Sequence, residues 1–157
     1  MNTTLAWDAL ASWLGDRGFT VSSTPDHEIG SLMGEYVVPL RLVWVRSILP
    51  EKLRLTVLIH EAIHALCCER ASEHGLHALP DPDVNELAAR RGTYIMASEL
   101  GLMADDNVRC AVNSALDDAH EWLVHPSKWD EAERIVDDIC PLLFEALGDA
   151  TGQEHIA

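Results

Sequence analysis

Residues 60–64 read His60-Glu61-Ala62-Ile63-His64, an H-E-x-x-H string set inside an apolar run from Leu55 to Leu66. No other pattern constrains this chain as strongly. The flanking residues, among them Leu53, Val57, Leu58, Ile59, Ile63 and Leu66, have helical spacing without a breaker, and Pro50 stands in front, where a first helical turn tolerates proline. On a helix, positions i and i+4 lie one above the other on the same face. His60 and His64 can therefore aim two imidazole nitrogens at one point, about 2 Å from a Zn²⁺ ion. Glu61, one residue after the first histidine, can reach a water on that metal, which is the arrangement of zinc-dependent peptide hydrolysis. A helix this apolar is buried on most sides, so its histidines and glutamate need partners. A metal supplies one. A core hydrogen-bond network of His and Glu is the competing account.

Length and charge narrow the rest. A chain of 157 residues with 48% apolar side chains and five tryptophans is expected to form one domain over residues 1–150, with 151–157 a frayed tail. The net charge is −15, from 26 acids against 11 bases. That field disfavours nucleic acid and anionic membrane as partners. It suits solubility first and a basic substrate or partner second. The four cysteines, Cys67, Cys68, Cys110 and Cys140, form no C-x-x-C pair, so buried thiols in a reducing cytosol are expected rather than a zinc ribbon or a redox site. No basic, apolar leader opens the chain, and no run of about 18 apolar residues suggests a membrane span. The expected location is the cytoplasm. No motif speaks to the oligomeric state.

Along the chain, Asn2 or Thr3 should cap a first helix ended by Gly15 and Gly18. Phe19–Ser22, Tyr36–Val38 and Leu40–Val45 read as strands, the last two joined around Pro39, with a polar loop from Thr24 to Gly30. After the H-E-x-x-H helix, Glu69–Asp81 reads as a loop holding His74 and His77. Asp81 as N-cap and Pro82 at the first helical position start another helix, running to about Leu100 and stopped by Gly101. A fourth helix should cover roughly Asp105–Val124 until His125-Pro126 breaks it, and a fifth should run from Ser127 or Lys128 to Leu147, kinked at Pro141.

Two histidines leave a catalytic zinc one protein ligand short. Arg70 occupies the place six residues after His64 where another histidine would serve, and arginine cannot ligate. An acid on the following helix is the natural source. Asp83 lies 19 residues past His64 and Glu86 lies 22 past it. Asp83 flanks the apolar stripe of Val84, Leu87, Ala88 and Ile95, although an acid there also suits a helix N-terminus. Glu86 falls on the more polar side with Arg90 and Thr93, where an i,i+4 pair with Arg90 would face solvent. It has the longer reach, and its row continues through the small residues Ala89 and Ala97. Asp83 stands slightly ahead of Glu86, with His74 and His77 behind both.

The strings L-I-H-E-A-I-H-A-L-C and D-V-N-E-L-A-A within Leu55–Ala89 resemble the ImmA/IrrE-type metallopeptidases, a family found with phages and mobile elements. The family pairs H-E-[apolar]-x-H with a later E-A-N-x-[F/L]-A-A. The resemblance sets Asp83 at the family's acidic ligand, with Asn85, Leu87, Ala88 and Ala89 matching after it. This chain departs from the family in having Asp for Glu and in carrying R-R-G-T-Y where an apolar run follows. The resemblance covers about a quarter of the chain. It implies an α+β fold: a mostly helical, zincin-like minimal metallopeptidase domain. A sheet of about three strands would pack on the H-E-x-x-H helix, with further helices after it.

The expected function is zinc-dependent hydrolysis of peptide bonds in a protein or peptide substrate, with Zn²⁺ as cofactor, Glu61 as general base and His60, His64 and Asp83 or Glu86 as ligands. Tyr94 and His120 are candidates to stabilise the oxyanion, each with a plain packing role as its alternative. The Tyr36–Val45 segment should supply an edge strand to which an extended peptide can add. Two other readings compete: a catalytically silent, zinc-stapled interaction module, and a metal-free helical adaptor. The first has no need of an acid at position 61, and metal content separates the second from both zinc readings.

Overall fold

The computed structural model describes residues 1–25, 32–73, 79–121 and 124–150, and among them are five α-helices and a three-stranded mixed sheet, an α+β fold that is mostly helical. Helix α1 (Thr3–Asp16) begins at Asn2, whose Oδ1 accepts from the backbone N–H groups of Thr4 and Leu5 at 3.1 and 3.2 Å. This side chain satisfies donors that have no partner inside the helix. Gly18, at φ +84°, then turns the chain into β1 (Thr20–Thr24). Strands β2 (Gly34–Val37) and β3 (Leu42–Arg46) complete the sheet in the order β1-β3-β2. β3 runs parallel to β1, with Thr20 opposite Leu42, and antiparallel to β2, with Tyr36 opposite Val43. Its central place buries Val43, Trp44 and Val45 in succession. The expected strand at Leu40 starts two residues later, because residues 38–40 form a 3-10 turn and Arg41 is left-handed at φ 47°. The Arg41 guanidinium offsets that strain by donating to Arg17 O and Gly18 O at 2.9 and 3.2 Å.

Helix α2 (Glu51–Glu73) starts directly after Pro50, whose carbonyl accepts from Arg54 N–H at 2.8 Å. It is the central helix, packed against β2 and β3, α1 and α3. Leu55 to Ile59 are buried without interruption. A helix covered on all sides carries no single apolar stripe, so its sequence reads as a continuous apolar run. It also continues past Cys68 to Glu73, where a loop was expected from Glu69. The polar residues there are the outward side of further helical turns: Arg17 pairs with Glu69 at 2.7 Å and Arg70 pairs with Asp138. His74 and His77, the 151–157 tail and most of the Thr24–Gly30 segment lie outside the described residues.

Helix α3 (Pro82–Glu99) starts as expected, with Asp81 Oδ1 accepting from Asp83 and Val84 N–H at 2.9 and 3.2 Å, and the chain leaves it through Gly101 at φ +70°. Helices α4 (Asp106–Glu121) and α5 (Pro126–Leu147) pack against α3. His125-Pro126 begins α5, with His125 Nδ1 accepting from Ser127 N–H at 3.2 Å, and the helix continues through Pro141. Among the described residues, no helix is long and apolar enough to cross a membrane.

β2 approaches α2 so closely that only glycine fits at position 34. A Cβ there would stand 2.5 Å from Val57 Cγ1 and 3.0 Å from both Glu61 Cγ and Trp44 O. Gly34→Ala should therefore push the strand off the helix and lower stability by about 1–3 kcal/mol. A chemical-denaturation midpoint equal to that of the wild type would mean that β2 does not hold this contact.

Candidate metal centre

One helical turn separates His60 and His64 on α2, and their rings meet edge to face with centroids 4.8 Å apart. The Nε2 atoms are 3.1 Å apart, and His64 Nε2 lies 3.4 Å from Glu86 Oε2 on α3. Ligand atoms of His60, His64 and Glu86 all fall within 4.8 Å of one another. Two donors bound tetrahedrally to one zinc at 2.0–2.1 Å stand about 3.3–3.4 Å apart. The two measured separations bracket that edge closely.

The far side of each imidazole is also engaged. The Thr93 hydroxyl donates to Ala89 O at 2.6 Å, so its oxygen accepts from His60 Nδ1–H at 3.2 Å. Asn85 Oδ1 accepts from His64 Nδ1–H at 3.0 Å. Both rings are thereby fixed with Nε2 as the inner atom, the orientation that outer hydrogen bonds impose on metal-binding histidines. Two imidazole nitrogens and a carboxylate oxygen, so directed, form a donor set that fits zinc.

The electrostatics of the cluster favour a positive charge at His64 and a negative one at Glu86, and disfavour charge on His60. Burial disfavours charge on His64, but its hydrogen bond to Glu86 and the Glu61 and Glu86 carboxylates outweigh burial and raise its pKa. His60 is held down to about 3 by burial and by His64 beside it. Burial also works upward on Glu86, yet hydrogen bonds from His64 and Arg90 bring it to about 2, so it stays a carboxylate.

Glu61 is 7% exposed. Burial pushes its pKa up to about 7, against the opposing pull of His64 and of a hydrogen bond from the Tyr36 backbone N–H. A cation in the cluster would lower it again. The Tyr36 contact follows from strand register. Met33 O accepts from Arg46 N–H at 2.8 Å, so Gly34 and Tyr36, one and three residues on, turn their backbone groups away from β3. A cleft of about 310 Å³ opens beside His60, Glu61 and Glu86, with Met33, Leu53 and Val57 on one side and Ala111, Val112 and Ala115 of α4 on another.

The structure brings four of the five candidate residues together: His60, Glu61, His64 and Glu86. It does not bring Asp83, the acid placed slightly ahead. Asp83 is half exposed at the start of α3, and its carboxylate accepts from Lys128 Nζ of α5 at 2.6 Å. The side of α3 judged more polar is the one turned to α2, where Thr93 meets His60 and Glu86 meets His64. The oxyanion candidates also lie elsewhere. His120 stacks on Trp129 with centroids 5.0 Å apart, and Tyr94 sits under the Arg91 guanidinium at 5.7 Å. Sequence reasoning gave no role in the site to Asn85 or Thr93, and it read Arg90 as a solvent-facing i,i+4 partner of Glu86; that pair forms at 2.8 Å but lines the cleft. Asn85 carried a signal, as part of the D-V-N-E-L-A-A match, whereas Thr93 carried none. No protein-family model, curated protein sequence or solved structure matches the chain.

Separate Asp83→Asn and Glu86→Gln variants test the acid. Glu86→Gln should weaken zinc binding by orders of magnitude in a chelator competition, and Asp83→Asn should leave it as in the wild type. The reverse ranking would require α3 to turn about its axis.

Proposed function

We propose that this chain is a zinc-dependent peptidase of the ImmA/IrrE-like, zincin kind, acting in the cytoplasm on a protein or peptide substrate. The observation that carries the reading is the convergence of His60 Nε2, His64 Nε2 and Glu86 Oε2 beside a buried Glu61 carboxylate at the wall of a cleft. His60, His64 and Glu86 would hold the metal. Zinc bound there would lower the pKa of a water toward 7 and polarise the scissile carbonyl. Glu61 takes the proton of the attacking water as the water oxygen bonds to the carbonyl carbon. It then returns that proton to the amine nitrogen as the C–N bond breaks. The Tyr36 N–H keeps the carboxylate aimed during both transfers. β2, at the edge of the sheet with Gly34 bordering the cleft, suits an extended peptide backbone. The apolar walls suit one uncharged side chain beside the scissile bond.

A zinc-stapled interaction module would account for the histidines and Glu86 but has no need of a buried acid at position 61. The test is to incubate zinc-loaded protein with a defined mixture of unmodified peptides and identify new termini by mass spectrometry. Cleavage that a chelator stops, with an apolar residue at one fixed position beside the cut, is expected. Intact peptides at all times, with zinc demonstrably bound, would favour the module.

A further inference from the structure

We propose that Arg90 is a positioning residue for the third ligand, holding one oxygen of Glu86 so that the other stays turned toward the histidines, and that it braces this ligand against helix α4. The proposal rests on the reading of His60, His64 and Glu86 as a metal centre.

The two oxygens of Glu86 have different neighbours. Oε1 accepts from Arg90 Nε–H at 2.8 Å, while Oε2 lies 3.4 Å from His64 Nε2. The last torsion of a glutamate is broad and nearly two-fold, so a carboxylate tied at neither oxygen turns easily. A bond to Oε1 removes that freedom. An i,i+4 pair on a helix surface could not do this reliably, because both side chains would be mobile and solvated. This pair differs. The Arg90 side chain is only 18% exposed and lines the cleft with His60 and Glu86. Its Nη1–H donates to the backbone carbonyl of Ala115 on α4 at 2.7 Å. Nε and Nη1 belong to one rigid plane, so a guanidinium anchored on α4 cannot follow Glu86 if the carboxylate swings.

The pattern extends to all three inner donors. Thr93 orients His60, Asn85 orients His64 and Arg90 orients Glu86, and each orienting residue comes from α3. Of these three bonds, the Arg90 bond is the one whose donor also reaches α4. Seating of α4 against α3 is therefore transmitted to the third ligand. The positive charge of Arg90 by itself repels a second cation, so the proposal makes a claim of definite sign: orientation outweighs that repulsion.

The experiment measures Zn²⁺ affinity by chelator competition and the visible spectrum of bound Co²⁺ for the full chain. The variants are Arg90→Met, Arg90→Lys, Glu86→Gln and the double variant Arg90→Met with Glu86→Gln. Arg90→Met should weaken zinc by about 10- to 100-fold and alter the Co²⁺ spectrum. Arg90→Lys keeps the charge but cannot span both acceptors, so it should weaken zinc as well, and it carries the test if Arg90→Met fails to fold. With Gln at position 86, removing Arg90 should cost almost nothing further, whereas a merely structural role would cost the same in both backgrounds. Wild-type affinity in Arg90→Met, or full rescue by Arg90→Lys, would overturn the proposal while leaving the metal centre in place. Wild-type affinity in Glu86→Gln would overturn both.

Discussion

Glu61→Gln is expected to keep its zinc and lose peptide hydrolysis by about 10²- to 10⁴-fold, the usual contribution of a positioned general base. The side chain keeps its length, and its amide oxygen can still accept from the Tyr36 N–H. The three inner donors come from other residues, so metal affinity should be that of the wild type. What the amide cannot do is take a proton from water. The pairing of an unchanged metal titration with a collapsed rate separates a base from a ligand. If the variant loses zinc, Glu61 is itself a ligand and the division of labour between Glu61 and Glu86 is wrong. If it keeps both zinc and rate, the proton goes to another group.

Replacing His60 and His64 together by alanine should abolish binding of the one zinc equivalent per chain expected for the wild type. It should also abolish the stabilisation that zinc confers. A ligand that binds only the folded state stabilises it by about 2.7 kcal/mol when its free concentration is one hundred times its Kd. Wild-type protein should therefore melt at a distinctly higher temperature with zinc than with a chelator, and the double variant should show no difference. Loss of the rings also leaves Thr93 and Asn85 without their imidazole partners. The double variant should accordingly be less stable than chelated wild type by a few kcal/mol, from two lost hydrogen bonds and a cavity. A double variant that still melts higher with zinc would point to a second metal site, at the cysteines or at His74 and His77.

His60, Glu61 and His64 were legible in the sequence because their juxtaposition is local: four residues of helix bring two rings together whatever the rest of the chain does. The helix starts at Thr3 and Pro82 were legible for the same reason, since Asn2 and Asp81 cap the residues next to them. The third ligand depends on something nonlocal, the rotation of α3 about its own axis. A helical wheel assumes one buried stripe, but α3 packs against α2, α4 and α5 at once. Its Glu86–Thr93 row therefore turns inward despite being polar, because what it meets on α2 is also polar. Asp83 scored well beside the apolar stripe and is instead used by Lys128 of α5. The strands were visible in their β-branched residues, but nothing local dictates that β3 should sit between β1 and β2. The last turns of α2 were missed because polarity was read as a loop, when Glu69 and Arg70 are ordinary helix formers paired across the surface.

The central claim is that His60, His64 and Glu86 hold one zinc ion, and the most direct measurement locates that ion. A crystal of the full chain grown with equimolar Zn²⁺ and measured at the zinc absorption edge should give one strong anomalous peak about 2.0–2.1 Å from His60 Nε2, His64 Nε2 and an oxygen of Glu86. An anomalous peak at the cysteines, at His74 and His77 or at Asp83, with none between His60 and His64, would contradict it.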